Sequence, residues 1–261
     1  LNPSNSFIPE VHSESRVIPN AFLRSSLFGI IKKGGREMVK EKLIFSLSQY
    51  EIYFTGEELD QLDLIVWDAL VFLFKQKNQM KSNDVVSISL YEICKFLGYT
   101  NNSKIRKQIK DRITRLTYAH VKINFNRKCY VGSLIYGFFL DHEKELYSLE
   151  MNKKLINIFS NQDDYTYINA NVRNELGQNQ LANWLYHFYA THQNPIPFRL
   201  GYLKELSRSS TSQKEFNRLI KSALQVIQKA YEIDRIKFEY EIKNGDLYVT
   251  KLKNVVQLKS C

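Results

Sequence analysis

The sequence lacks any cysteine pair placed to act together. Cys94, Cys129 and Cys261 are widely separated and form no Cys-x-x-Cys. That excludes a disulfide framework and fits a reducing cytosol. No apolar run approaches membrane length: the best stretch, Leu62 to Phe74, is broken by Asp63 and Asp68. Leu1 to Ser15 lacks the basic-then-apolar layout of a secretory signal. There is no Gly-x-x-x-x-Gly-Lys-Ser/Thr loop, and Gly34-Gly35 lacks the strand-loop-helix setting of a phosphate cradle. His12, His120, His142, His187 and His192 show no metal-ligand spacing, and His187 and His192 diverge on a helix. A nicking enzyme needs paired metal-binding histidines beside a tyrosine nucleophile; the sixteen tyrosines supply only the second part. Asp60 with Asp63, and Asp163-Asp164, read as helix-start and loop acidity rather than cation ligands. No aromatic-rich RNA-binding sheet motif occurs. The expectation is a protein without catalysis, cofactor or metal.

What is present is a globular composition, 44% hydrophobic and 25% charged over 261 residues, enough for one large or two ordinary domains. The formal net charge is +10, which by itself is weak evidence for a polyanionic partner. Its distribution says more. Residues 51–70 carry Glu51, Glu57, Glu58, Asp60, Asp63 and Asp68 and no Lys or Arg. Residues 101–130 carry nine basic side chains against Asp111 alone. Such focusing marks a candidate phosphate-binding face, the plainer alternative being a solvated helix and a basic hairpin.

Periodicity orders the rest. Residues 1–15 read as a flexible lead, Ile31 to Lys42 as a loop, and Gln49 to Thr55 as a strand. Leu59 to Phe74 has apolar residues at helical spacing, and Lys75 to Asp84 is polar loop. Leu90 to Leu97 reads as a short helix stopped by Gly98, and Ser103 to Tyr118 as a second helix with Ile105, Ile109, Ile113 and Leu116 inward. Val121 to Phe125 and Tyr130 to Leu140 read as two strands around a basic turn, Asn126-Arg127-Lys128. The second half repeats the order. Tyr165 to Ile168 reads as a strand, and helices are expected over Asn179 to Thr191 and Leu200 to Leu206. A third helix runs to Ala230, opened by a Ser212/Glu215 capping box. Strands at Ile236 to Tyr240 and Leu247 to Lys251 follow. Phe216, Ile220, Leu224 and Ile227 stand 111 positions after the first stripe.

Helix, turn, helix, then a hairpin is the winged-helix order. The expected fold is therefore α+β, two tandem winged-helix domains (helix-turn-helix plus β-hairpin wing) related by internal duplication, at 16–142 and 143–261. A helix fits the major groove, with its N-terminus aimed at base edges. The expected readers in the second domain are Ser210, Thr211, Ser212, Gln213, Lys214, Asn217, Arg218 and Lys221, with hydroxyls on phosphates and Arg, Lys and amides on bases. In the first, Lys104, Arg106, Lys107 and Lys110 are expected on phosphates, Asn101 and Asn102 near bases, and Arg127 and Lys128 at a wing tip. An ordinary exposed helix rim is the competing reading.

Several stretches resemble the TrfA-type plasmid replication initiators, relatives of the RepE and π initiators. They are Arg16-Val17-Ile18-Pro19-Asn20, Leu23-Arg24-Ser25-Ser26-Leu27-Phe28, the run Tyr53 to Gln61 (YFTGEELDQ), Leu64-x-x-Trp67, Arg173-x-x-Leu176, and Leu181-Ala182-x-Trp184-Leu185-x-x-Phe188-Tyr189-x-x-His192. The resemblance spans roughly residues 16–252. It implies binding of double-stranded DNA at directly repeated iterons of a plasmid origin, opening of a neighbouring AT-rich segment, and recruitment of host initiator and replicative helicase. It also implies a homodimer formed through the first domain with an active monomer, and a bacterial cytoplasmic location. A winged-helix transcription regulator on a palindromic operator is the alternative. Trp67 and Trp184 read as core, and Arg173 as internally paired.

Overall fold

The computed structural model describes residue 9 and residues 14–32, 34–47, 49–78, 85–125, 127–159, 164–233 and 235–253. Most of the expected lead, together with His12, Asn126, Asp163 and Cys261, lies outside them. Among the described residues no helix is long and apolar enough to cross a membrane.

The chain enters as strand β1 (Ser15–Pro19), a one-turn helix α1 (Asn20–Leu23) and the two-residue strand β2 (Phe28–Gly29). Strand β3 (Met38–Ile44) begins inside the expected loop; β4 (Glu51–Glu57) and β5 (Leu59–Asp60) follow. Helix α2 (Gln61–Asn78) is apolar nearly all round, with Leu64, Trp67, Ala69 and Leu70 wholly buried, so it forms the centre of the first half. Next comes β6 (Val85–Ser89), which periodicity did not reveal. Helix α3 (Leu90–Leu97) starts at a reciprocal Ser89/Glu92 capping box and stops at Gly98, whose φ of 67° suits glycine. Helix α4 (Ser103–Tyr118) buries Ile109, Ile113 and Leu116. Strands β7 (His120–Phe125), β8 (Lys128–Ser133), β9 (Gly137–Asp141) and β10 (Leu146–Glu150) lead to a 3-10 stretch, Lys153–Phe159.

The second half comprises β11 (Tyr165–Asn169), α5 (Ala170–Glu175), α6 (Gln180–Ala190), β12 (Phe198–Arg199), α7 (Leu200–Leu206), α8 (Gln213–Ile233), β13 (Ile236–Lys243) and β14 (Asp246–Lys253). Trp184 and Phe188 stack on α6 with ring centroids 5.2 Å apart, as core residues. The hairpin β13–β14 turns on Asn244 and Gly245, both at positive φ, as a two-residue turn between right-twisted strands requires.

Sheet pairing corrects the expected hairpin after α4. The single strand expected over 130–140 is two strands, parted at Leu134–Tyr136. The hairpin β7–β8 turns away to join the sheet β3-β4-β7-β8, pairing Ile52 with Ile123 and Phe54 with Val121. All four of those side chains are buried, which is why the hairpin goes there. Strands β9 and β10 belong to a different sheet, of order β6-β10-β9, whose strand β6 leads directly into α3. In the second half the order β12-β14-β13 repeats that pattern.

The halves interlock. Strand β1 pairs antiparallel with β11, Arg16 opposite Ile168 and Ile18 opposite Thr166. Strand β2 runs parallel to β5. The division placed at 142/143 falls in the turn of the β9–β10 hairpin.

Candidate nucleic-acid interface

Helix α8 has one dry side and one wet side. Phe216, Ile220, Leu224 and Ile227 are buried at three- and four-residue spacing, which fixes the rotation of the helix. Lys214, Arg218 and Lys221 are exposed on the other side, with Asn217 half-buried among them. At the start of the helix Ser212 Oγ accepts from the Glu215 backbone N–H at 3.2 Å, one arm of the expected capping box. The Glu215 carboxylate turns elsewhere: its two oxygens accept from Arg218 Nε and Nη2 at 2.9 and 2.6 Å. Those bonds hold the Glu215 carboxyl below its ordinary range. Gln213 Nε2 donates to Asn217 Oδ1 at 2.7 Å, presenting two amides side by side. Ser210 and Ser212 are exposed, and Thr211 is half-buried with its hydroxyl 3.0 Å from that of Ser209.

Helix α4 presents less charge than its sequence holds. Lys104 and Lys107 are exposed. Arg106 is bound by Glu145 in the β9–β10 turn and by Asn101 Oδ1 at 2.6 Å, and Lys110 lies 3.8 Å from the same glutamate. Asn102 Oδ1 caps the helix at Ile105 N, 2.9 Å away, so that oxygen serves the backbone. Arg112 and Arg115 point inward to Asp60 and Asp63. Glu145 was missed because it stands 39 residues from Arg106, and no local pattern links them.

Arg127 and Lys128 are exposed, with Arg127 at a positive φ of 60°, but they cap the β7–β8 hairpin of the other sheet. They stand at the turn of a hairpin in the sheet β3-β4-β7-β8, not in the sheet β6-β10-β9. The β9–β10 turn of that second sheet presents His142, Glu143 and Lys144, all exposed. Lys243 and Asn244 are their counterparts between β13 and β14.

Behind these surfaces lies an ionic core built by the Tyr53 to Gln61 stretch. Arg36 reaches Asp60 at 2.7 Å and Asp63 at 3.0 Å; Arg112 lies 2.8 Å from each of them, and Arg115 lies 2.7 Å from Asp63. Burial pushes the Asp60 carboxyl up, and Arg112 with Arg36 outweighs it and holds it below its usual range. Burial and the charge of Asp60 push Asp63 the other way. A second buried pair joins Arg173 on α5 to Asp68 on α2 at 2.6 Å, with Arg16 3.8 Å from the same carboxylate. Arg173 is thus internally paired.

Three comparisons bear on this architecture. Two crystal structures of RctB superpose on nearly the whole chain. The selenomethionine derivative of its domains 2 and 3 gives a TM-score of 0.59 at 12% identity, covering 87% of this chain and 95% of that one. The structure of RctB domains 2-3 gives 0.55 at 14% identity, covering 86% and 95%. At these identities the likeness is one of fold. Among curated proteins no relative matches. The family model described as TrfA protein matches residues 6–238, from before β1 into β13, which include every stretch named above. The chain therefore belongs to the TrfA family of replication initiators, a family of DNA-binding proteins.

Proposed function

We propose that the two halves are winged-helix modules related by duplication, and that together they bind directly repeated iteron sites in duplex DNA at a plasmid origin. The modules are α2-β6-α3-α4-β9-β10 and α6-β12-α7-α8-β13-β14. One observation carries the reading: the same order of helices, with the same sheet order, occurs twice. In each copy the second helix of the pair keeps a polar face outward.

In this reading α8 enters the major groove and reads bases with Gln213, Lys214, Asn217 and Lys221, and Arg218 joins them by leaving Glu215. Ser210, Thr211 and Ser212 hold phosphates, aided by the amide groups of the helix start. Helix α4 contributes Lys104 and Lys107 to the phosphate backbone, with Arg106 and Lys110 at its edge, and the side-chain amide nitrogens of Asn101 and Asn102 at its start reach a second block of bases. Lys144 and Lys243 occupy the wing tips. The protein performs no chemistry of its own and needs no cofactor. It acts in the bacterial cytoplasm, opens the adjacent AT-rich DNA as a monomer released from a homodimer, and recruits host initiator and replicative helicase.

Selection of bound duplexes from a random library, sequenced at moderate salt, tests the reading. An asymmetric motif that recurs in tandem on the source replicon supports it. A palindrome points instead to a dimeric regulator. Salt-sensitive binding without enrichment removes sequence reading altogether.

A further inference from the structure

The residues from Glu57 to Asp63 hold both helix pairs at once. From the first half, Arg112 and Arg115 of α4 donate to Asp60 and Asp63. From the second, Arg208 in the turn between α7 and α8 reaches the Glu58 carboxylate. Glu58 is only 3% exposed, and Lys42 Nζ lies 3.3 Å from the same oxygen that Arg208 binds.

The backbone supports this joint. Ile30 N donates to Ser207 O at 2.8 Å, so the α7–α8 turn rests on the chain just after β2. Strand β2 is in turn paired with β5, within the same acidic segment. The approach at Gly29 is close: a methyl group there would lie 2.9 Å from Arg208 Cβ and 3.1 Å from Ser207 O. Arg208 also holds a positive φ of 60°, a conformation that a side chain adopts at a cost. The guanidinium of Arg208 is turned inward, toward Glu58, at the turn that leads into α8.

We propose that the Glu58–Arg208 ion pair is a positioning device that fixes α8 relative to α4, and so sets the spacing between the two blocks of bases that the protein recognises. The proposal rests on the reading that both helices contact one duplex. Rigid coupling has a geometric consequence. Each inserted base pair moves the second block by about 3.4 Å and turns it by about 35° around the helix. A rigid pair of modules therefore tolerates one spacing, and a loosened pair tolerates several.

The test repeats the random-library selection with the wild-type chain and with Glu58→Gln and Arg208→Met, each shown by circular dichroism to be folded at the selection temperature. The wild-type chain is expected to enrich two blocks at a single spacing. The variants are expected to enrich the same two blocks with spacings spread over two or more neighbouring values. The favoured spacing should fall to roughly half of the reads or fewer, an order-of-magnitude expectation for a joint that admits neighbouring geometries. A folding defect alone lowers the bound fraction without widening the spacing. Two blocks at the unchanged single spacing in either folded variant overturn the proposal, as does a salt slope lower by about one, which marks Arg208 as a phosphate contact. A wild-type chain that enriches no motif refutes the DNA-reading function itself, a result distinct from either.

Discussion

His187 on α6 and Gln61 at the first position of α2 meet 2.8 Å apart, Nδ1 to Oε1, across 126 residues of sequence. Gln61 Nε2 donates to Phe28 O, which turns the amide oxygen toward the histidine and makes Nδ1 the protonated nitrogen. Burial, reinforced by the nearby charge of Arg173, lowers the His187 pKa to about 3. The unfolded chain takes up this proton near 6.5, while the folded chain resists it down to about 3. Folding stability should therefore decline as pH falls through that window, by about 1.4 kcal/mol per pH unit for a single such group. Burial lowers His192 in the same direction. Urea unfolding between pH 7 and 4.5 should show the decline, and His187→Gln should remove most of it. An equal slope in the variant would place the acid sensitivity elsewhere.

Glu145 holds Arg106 and Lys110 at the edge of α4. Glu145→Gln should free both for phosphates, tightening binding to any duplex and steepening its salt dependence by about one unit. Titrations at several salt concentrations measure this. A variant that binds no more tightly would show that the α4 edge lies away from the DNA.

Lys107→Ala and Asn217→Ala should fail in different ways. Losing exposed Lys107 should weaken specific and random DNA alike and lower the salt slope by about one. Losing Asn217 should cost about 1–3 kcal/mol at particular base positions and leave random DNA binding intact. Competition against single-base variants of the selected site separates the two. Equal losses on specific and random DNA for Asn217→Ala would exclude base reading by that amide.

Arg173→Ala should destabilise the fold by about 3–5 kcal/mol, because it strips a buried carboxylate of its main partner. Both side chains are 3% exposed, so water does not replace the lost contact. The urea midpoint of the variant gives the value. A loss below about 1 kcal/mol would mean that Arg16, at 3.8 Å, suffices alone.

What sequence reveals here depends on how local the signal is. Helices α3, α4 and α7 have the bounds that caps and apolar periodicity predict, 90–97, 103–118 and 200–206. The TrfA resemblance also located the Tyr53 to Gln61 stretch, whose acids prove to organise the ionic core. The hairpin after α4 was misplaced because a basic turn between alternating residues looks the same wherever it pairs. Its destination depends on Ile52 meeting Ile123, and that of β10 on Ser87 meeting Ser148. The charge surplus over 101–130 misled for the same reason. Arg112 and Lys104 are equally basic in sequence, and only Asp60, 52 residues before Arg112, distinguishes them.

The pairing of β1 with β11 also constrains the order of events during synthesis. Ser15–Pro19 leaves the ribosome well before its partner, Tyr165–Asn169, is made. At about 5–20 residues per second the nascent strand waits on the order of ten seconds for that partner. Throughout that interval Val17 and Ile18, both buried in the finished protein, have no completed core to enter. The first half alone is then an unfinished folding unit, and the second half acts as its closing piece.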